Sequence, residues 1–321
     1  MRRSSGSRVE PGFHTSPSRL ALSRRNFLLC AAAGSIAGSG ATLGRTPVVN
    51  AAAPRPPGAL RIAVVQQEGR PGEVQRNRQA AVRFAGEALQ AGADVVVFHE
   101  ALLTGYVPNA RELSEDADGP TTRAFQDLLH GSASHIVYGL TERDGDELYA
   151  SAVVVSSTGV LGTYRKTHLY PNPSDPVRDE PSIFTPGTRL TTFPLAGATA
   201  GLLICFDGDF PEMMRAYANL GCQVVFWLNN RWARGHSEVK RLAVTNSMIV
   251  ATACCTGKSE TGEFYPGGSN ITGPRGELLA EIWGKEGVVI ADVWPAQVPQ
   301  VRAGNVLFTS QRPALYGRPT P

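Results

Sequence analysis

Residues 88–98 read ALQAGADVVVF, and residues 218–227 repeat the same layout as ANLGCQVVFW. In each copy, the end of a helical apolar pattern is followed by a glycine and then by a run of apolar residues typical of a buried strand. Each run ends close to a polar residue, Glu100 in the first copy and Asn229 in the second. Two such halves predict two stacked sheets with helices outside. The alternative is a chance match, because helix–glycine–strand is a common arrangement.

The alternation of helices and strands continues on both sides of the repeat. Apolar residues at helical spacing predict helices near residues 74–89, 122–129, 211–220 and 237–249. Short apolar runs predict strands at residues 60–66, 95–98, 135–140, 149–156, 160–164, 201–205, 223–228, 251–255, 269–272, 278–282 and 288–293. Residues 167–187 are rich in proline and lack periodicity, which predicts a long loop of the kind that often serves function. No low-complexity linker divides the body, so we predict one α/β domain over residues 54–296 with a C-terminal extension at 297–321.

The first 53 residues differ in charge from the rest of the chain. They carry a net charge of +6, whereas the remainder carries −3. Arg24 and Arg25 precede Phe27-Leu28, an apolar stretch rich in alanine and glycine follows, and small residues close the segment at 51–53. This order is typical of an export signal, and the paired arginines resemble a bacterial twin-arginine signal. We therefore predict export to the periplasm or the exterior by the twin-arginine machinery. A disordered basic tail and a short membrane anchor are the alternatives.

Composition excludes several classes of protein. A hydrophobic content of 42% and a charged content of 18% exclude a disordered or collagen-like chain. The net charge of the body gives no electrostatic reason to expect a nucleic-acid partner. No spacing of cysteine and histidine suggests zinc, so neither a metal nor another cofactor is expected. Three cysteines are expected to be small buried hydrophobic residues: Cys222, Cys254 and Cys255.

Three polar residues, Glu100, Lys166 and Cys205, directly follow apolar strand patterns in separate parts of the chain. Residues at the carboxyl ends of strands in an open α/β sheet face the crevice where ligands bind. An ammonium lowers the pKa of a nearby thiol, and a carboxylate within hydrogen-bond distance can accept the thiol proton. The three side chains therefore indicate a cysteine nucleophile with its acid–base partners. The alternatives are a buried structural thiol and solvated charges at strand ends.

The segments around these residues are FHE at 98–100, YRKTHL at 164–169 and ICFDGDFPE at 204–212. Together and in this order they resemble the three signature segments of the nitrilase, or carbon–nitrogen hydrolase, superfamily, and the resemblance covers about residues 60–296. It implies an α/β fold, a four-layer α-β-β-α sandwich with pseudo-twofold internal symmetry. It also implies a hydrolase that cleaves a non-peptide carbon–nitrogen bond through a cysteine thioester. We further expect a homodimer or a higher homo-oligomer.

The resemblance implies a role for each residue that matches the signature segments. Cys205 is the expected nucleophile. Glu100 is expected to protonate the leaving nitrogen and then to activate water, while Lys166 and the backbone N–H of Phe206 donate to the developing oxyanion. The family also carries a second glutamate after the lysine, and Glu180 occupies that place. Its implied role is to hold Lys166 and the substrate nitrogen, with an ordinary loop carboxylate as the alternative.

The residues after Cys205 discriminate between substrates. The stretch DGDFPE at 207–212 resembles the amidase-like branches. Nitrilases proper usually carry Trp-Glu there, and branches that act on N-carbamoyl amino acids often carry an arginine where this chain has Gly208 and Asp209. We expect a small amide that yields ammonia and a carboxylate. The alternatives are an N-carbamoyl amidohydrolase, a nitrilase, an acyltransferase and a non-catalytic binding protein of the same fold. The candidate substrate-binding residues are Tyr106, Phe206, Asn229 and Arg231.

Overall fold

The computed structural model describes residues 54–230, 236–259, 262, 264–312 and 315. The expected export signal at residues 1–53 and the candidate Arg231 lie outside the described residues. The described strands are β1 (Leu60–Gln66), β2 (Val95–Val97), β3 (His135–Asp144), β4 (Glu147–Ser156), β5 (Gly159–Arg165), β6 (Thr192–Leu195), β7 (Ala198–Ile204), β8 (Val224–Asn229), β9 (Ile249–Cys254), β10 (Thr256–Lys258), β11 (Phe264–Thr272), β12 (Leu278–Trp283) and β13 (Gly287–Val293). The described helices are α1 (Val74–Gln90), α2 (Ala110–Leu113), α3 (Pro120–Leu129), α4 (Glu180–Ile183), α5 (Pro211–Asn219), α6 (His236–Asn246), α7 (Val298–Ala303) and α8 (Val306–Thr309).

The strands form two mixed sheets. The first has the order β13-β1-β2-β3-β4-β5, and the second has the order β10-β11-β9-β8-β7-β6 with β12 beside β11. In the first sheet β1, β2 and β3 are parallel, and in the second β7, β8 and β9 are parallel. The unit β1-α1-β2 therefore has its counterpart in β7-α5-β8. These units contain the two copies of the repeat, so the prediction of two similar halves is confirmed.

Alternation along the central strands separates the layers. Ile62 and Val64 of β1 belong to the apolar core that joins the two sheets. Ala63 and Val65, which point to the other face, pack with Phe84 and other apolar residues of α1 and α3. Since both faces of such a strand are buried, its sequence is a continuous apolar run. The second sheet packs in the same core with residues of α5 and α6, which completes the expected α-β-β-α sandwich.

Several boundaries differ from the sequence-based expectations. The strand predicted at 201–205 ends at Ile204, and Cys205 begins a short 3-10 turn, Cys205–Asp209. The helix predicted to reach residue 249 ends at Asn246, because Ser247 adopts a φ of +48° that no α-helix can contain. The loop predicted at 167–187 contains the short helix α4. Five further short elements were not predicted from the sequence: β6, β10, α2, α7 and α8.

The first part of the predicted C-terminal extension packs against the body. Val298 is fully buried and belongs to the large apolar cluster that contains residues of both sheets and of α5 and α6. The Arg302 guanidinium donates to the carbonyl oxygens of Ala218 at 3.1 Å and Cys222 at 2.6 Å, at the end of α5. None of the helices in the described ranges is long and apolar enough to span a membrane.

Candidate active site

A buried lysine joins two carboxylates at the carboxyl ends of the strands. Lys166 follows β5, Glu100 follows β2, and Glu180 begins α4. The Lys166 ammonium donates to Glu100 Oε1 at 2.9 Å and to Glu180 Oε1 at 2.6 Å. All three residues are at most 2% exposed. The structure thus brings together three of the four residues that were expected to do the chemistry, with Lys166 in direct contact with both carboxylates.

The electrostatics of this cluster keep the lysine charged. Burial alone would lower the pKa of Lys166, but the charges of Glu100, Cys205 and Glu180 outweigh burial and raise the pKa above its ordinary value. For Glu180 the balance differs: burial raises its pKa, and the attraction of Lys166 offsets this only in part. Cys205, the fourth expected residue, is buried at the end of β7, close enough for its charge to act on Lys166.

Cys205 lies on a sharp turn that packs against the side chain of Trp227. Its φ of +44° is in the left-handed region, which a non-glycine residue occupies only where its surroundings impose it. Trp227 Nε1 donates to the carbonyl oxygen of Cys205 at 3.0 Å. A Cβ on Gly208 would lie 2.0 Å from the Trp227 ring, so only glycine fits there. This close approach accounts for Gly208 in the segment that was compared with amidases.

Asp207 connects the turn that begins at Cys205 to the segment that carries Lys166. Its side chain is completely buried, and two of its neighbours in space, Tyr164 and Thr167, lie on either side of Lys166 in the chain. The Asp207 carboxylate accepts hydrogen bonds from Ile204 N (3.1 Å), the Tyr164 hydroxyl (2.8 Å), the Thr167 hydroxyl (3.0 Å) and His168 N (2.9 Å), and it contacts His168 Nδ1 (3.1 Å). In the sequence, Asp207 stood out only as part of a motif, and its contacts were not predicted.

The backbone at Glu100 is fixed by an equally close contact. Ala101 has a φ of +49°, and a Cβ on Gly139 of β3 would lie 2.5 Å from the Glu100 Cα. Glycine at 139 therefore lets the turn rest directly on β3. The buried His99 ring makes a 2.8 Å hydrogen bond from Nδ1 to the Glu100 carbonyl oxygen. Burial lowers the pKa of His99 to about 4, so this imidazole is neutral near pH 7.

The outer oxygen of each carboxylate is held by a backbone N–H. Asn230 N donates to Glu100 Oε2 at 2.9 Å, and Tyr170 N donates to Glu180 Oε2 at 2.7 Å. The Asn230 side chain accepts a hydrogen bond from the Cys255 thiol at 3.0 Å. Neither Asn230 nor Tyr170 was predicted from the sequence, because a backbone donor leaves no signature in the type of side chain.

The candidate substrate-binding residues differ in their surroundings. The Tyr106 hydroxyl contacts both Glu100 Oε1, at 2.9 Å, and Glu180 Oε1. Asn229 is fully buried, and its amide donates to the Trp227 carbonyl oxygen at 3.1 Å. Phe206 meets Tyr170 edge to face, with ring centroids 5.3 Å apart. Tyr170 is 45% exposed, so this aromatic pair, which adjoins Cys205 in the chain, reaches the surface. Within the described ranges no three metal-ligating side chains are grouped in a way that could hold an ion.

Comparison with known proteins connects this geometry to a family. Residues 61–303 match the carbon-nitrogen hydrolase family. An (R)-stereoselective amidase from Pseudomonas sp. is 30% identical over 272 residues, covering 81% of this chain and 94% of the relative. A nitrilase from Pyrococcus abyssi is 31% identical over 271 residues, covering 81% and 100%. A mutant amidase from Nesterenkonia sp. AN1, solved with the acetamide moiety of fluoroacetamide added covalently at its active-site cysteine, superposes with a TM-score of 0.69 at 25% identity, covering 83% of this chain and 98% of the other. These similarities confirm the resemblance to the superfamily and the fold it implied.

Replacing Asp207 by asparagine should weaken both the fold and the thiol site. The amide cannot accept from every donor that now meets the carboxylate, and leaving a buried donor unpaired costs about 1–3 kcal/mol. We expect a loss of roughly 2–4 kcal/mol in the free energy of unfolding, measured in urea, and slower alkylation of Cys205 by iodoacetamide. Asp118→Asn, the same change at an exposed position, is the control and should cost less than about 0.5 kcal/mol. Equal effects of the two changes would contradict the role assigned to Asp207.

The buried His99 predicts a specific loss of stability in acid. Its pKa is about 4 in the folded protein, against an ordinary value of 6.5, so between these pH values only the unfolded chain takes up the proton. The folded state is therefore favoured in full above pH 6.5 and loses about 3 kcal/mol on reaching pH 4 from this group. Urea unfolding across this range should show a shallower pH dependence for His99→Gln than for the unaltered protein. His130→Gln, at an exposed position, should retain the original slope, and parallel slopes for all three proteins would refute the prediction.

Proposed function

Because the chain belongs to the carbon–nitrogen hydrolase family, we propose that it hydrolyses a small amide to ammonia and a carboxylate, with Cys205 as the nucleophile. The observation that carries the proposal is the buried Lys166 ammonium, bonded to Glu100 and Glu180 beside the strand-end thiol. A buried ion set of this kind is costly unless it is fully paired, and here it lies next to a strained nucleophile turn. Perturbed charges and strain together are typical of catalytic sites.

Acylation begins with transfer of the Cys205 thiol proton to Glu100 as Sγ attacks the carbonyl carbon of the amide. The carbonyl oxygen of the tetrahedral adduct gains a negative charge, which Lys166 and the backbone N–H of Phe206 stabilise. An ammonium has three N–H donors, and the two carboxylates use two of them, so one remains for the substrate. The carbon–nitrogen bond then breaks as Glu100 returns the proton to nitrogen. Ammonia leaves, and the acyl group remains on Cys205 as a thioester.

Deacylation follows the same steps as acylation, with water in place of the thiol. Glu100, ionised again, takes a proton from water as its oxygen attacks the thioester carbon. The oxyanion forms at the same donors, and its collapse expels the Cys205 thiolate, which recovers the proton from Glu100. The raised pKa of Lys166 supports its role, because the ammonium stays charged through both half-reactions. Its charge then acts mainly on the transition states and hence on kcat.

The surroundings of Cys205 favour a neutral amide over an acidic substrate. Gly208 lies against Trp227, and Asp209 is an exposed acidic residue, so neither position offers a cation for a substrate carboxylate. The aromatic pair of Phe206 and Tyr170 supports binding of an apolar acyl group beside the thiol. The Pseudomonas and Nesterenkonia proteins are named as amidases, which supports the same substrate class.

The test compares kcat/KM for an amide, a nitrile and an N-carbamoyl amino acid that share one carbon skeleton, with ammonia as the readout. We expect the amide to be preferred by tenfold or more, because its carbonyl oxygen meets both oxyanion donors. Cys205→Ala should fold normally and release no ammonia. Cys222→Ala removes a thiol that is buried in the core and should keep its activity. A tenfold preference for either other compound would refute the substrate class, and turnover by folded Cys205→Ala protein would refute the mechanism.

We also propose that residues 1–53 direct export through the twin-arginine machinery, with processing near residue 51. The support is the order of the arginine pair, the apolar stretch and the small residues, together with the contrast between a +6 segment and a −3 body. The expected self-association of the chain stays a prediction.

Export should depend on one arginine pair and not on the other. Changing both Arg24 and Arg25 to lysine keeps the charge but removes the pair that precedes the apolar stretch, so the precursor should accumulate in the cytoplasm. The same change at Arg2 and Arg3, which have no apolar stretch after them, is the control and should leave export intact. Cell fractionation with detection of precursor and processed forms measures both. Unchanged export of the first variant would point to a different route.

A further inference from the structure

The Tyr106 hydroxyl closes a ring of hydrogen bonds with the buried charges. It lies 2.9 Å from Glu100 Oε1 and also contacts Glu180 Oε1. The same two oxygens accept from Lys166 Nζ at 2.9 and 2.6 Å. The phenol, the ammonium and the two carboxylate oxygens thus form a closed ring of four hydrogen bonds. The mechanism described above uses the ammonium and both carboxylates but leaves the phenol without a role.

The phenol has one proton for two carboxylates. Burial and the charges of Glu100 and Glu180 raise the pKa of Tyr106 well above its ordinary value, so the phenol keeps that proton. When Tyr106 donates to one carboxylate, it can meet the other only as an acceptor. Both contacts are therefore satisfied at once only if the second carboxyl group carries a proton. The geometry fits a carboxyl pair that shares one proton.

The charge balance of the cluster favours the same state. One ammonium faces two buried carboxylates, which leaves one negative charge uncompensated if both are ionised, and such a charge is costly away from water. The outer oxygens, Glu100 Oε2 and Glu180 Oε2, accept backbone N–H groups from Asn230 and Tyr170. A proton on either outer oxygen would break one of these bonds, so it resides on an inner oxygen that faces Tyr106.

We propose that Tyr106 is a positioning residue that passes a proton between Glu180 and Glu100, so that the two carboxyl groups work as one acid–base unit. In the transfer, the Glu180 O–H proton moves to the Tyr106 oxygen while the Tyr106 proton moves to Glu100 Oε1. The phenol is unchanged, and the two carboxyl groups have exchanged states. The proposal rests on the proposed function, in which Glu100 must be a base in one step and an acid in the next. The reverse transfer returns the shared proton to Glu180, which leaves Glu100 ionised and able to accept the proton of the thiol or of water.

The position of Tyr106 is set by apolar packing, so its hydroxyl can be removed alone. Its ring lies in a cluster with Ala101, Leu148, Ala150 and Phe184, and meets the Phe184 ring edge-on at 6.4 Å. The titratable groups that face the hydroxyl or the carboxyl pair are Glu100, Glu180, Lys166 and Cys205, with His99 and Cys255 behind Glu100. Tyr106→Phe changes none of them and keeps the ring.

The experiment measures Tyr106→Phe against pH in two ways, by kcat/KM for an amide and by the rate of Cys205 alkylation with iodoacetamide. Loss of the donor destabilises the ionised carboxyl pair. The acid limb of each profile, the range in which the rate falls as pH decreases, should therefore shift to a pH about one unit higher. We expect kcat to fall tenfold or more and KM to change less than threefold. Tyr138→Phe is the matched control, since it removes an equally buried hydroxyl that bonds to Thr122 instead, and both limbs should stay in place.

The outcomes separate this proposal from the proposed function. A Tyr106→Phe protein that folds and keeps the original acid limb in both assays overturns the relay, even if amide turnover is intact. Absence of turnover in the unaltered protein, with the alkylation limb still displaced by Tyr106→Phe, refutes the proposed function and supports the relay. If Tyr106→Phe does not fold, 3-fluorotyrosine at position 106 keeps the hydroxyl but makes it a stronger donor. Both acid limbs must then move downward, and an unmoved limb overturns the proposal.

Discussion

The Lys166 ammonium has no exposed side-chain surface, and in the interior it is stable only because Glu100 and Glu180 meet it. Removing an ammonium from water costs several kcal/mol, and loss of one partner from such a buried set costs about 3–5 kcal/mol. The segments after β2 and β5 and the start of α4 must therefore converge at one point whenever the chain is folded. This electrostatic requirement holds the long segment 167–187 against the sheet and restricts its movement away from Lys166.

A second constraint brings the thiol to the same point. Asp207 binds donors on both sides of Lys166 in the chain, so the turn that carries Cys205 cannot shift without breaking contacts to the lysine segment. Trp227 holds the carbonyl oxygen of Cys205 and leaves room for nothing larger than glycine at position 208. The two constraints are coupled, because the Asp207 carboxylate and the Trp227 indole together fix the turn that carries Cys205 relative to the Lys166 segment.

The sequence revealed those parts of the molecule that depend on local pattern. Continuous apolar runs identified the central strands, and Glu100, Lys166 and Cys205 stood out because each interrupts such a run at its end. The edge strand β6 was missed because it is four residues long and contains Pro194, which argues against a strand. The contacts of Tyr106, Asn230 and Asp207 were missed for another reason: they join residues far apart in the chain. Their partners depend on turn geometry and strand register, which no short pattern encodes.

Strain at the two turns is the final link between fold and chemistry. Ala101 and Cys205 both have positive φ values, a conformation that costs about 1–3 kcal/mol in a non-glycine residue. Each turn lies against a glycine contact, at Gly139 or at Gly208, that a single added methyl group would disrupt. Each is also held by a hydrogen bond to its carbonyl oxygen, from Gly105 N at 2.9 Å or from Trp227 Nε1 at 3.0 Å. Because these contacts come from the protein itself, the fold maintains both strained turns. The carboxylate and the thiol are therefore positioned before substrate arrives, and little reorganisation is required during the reaction.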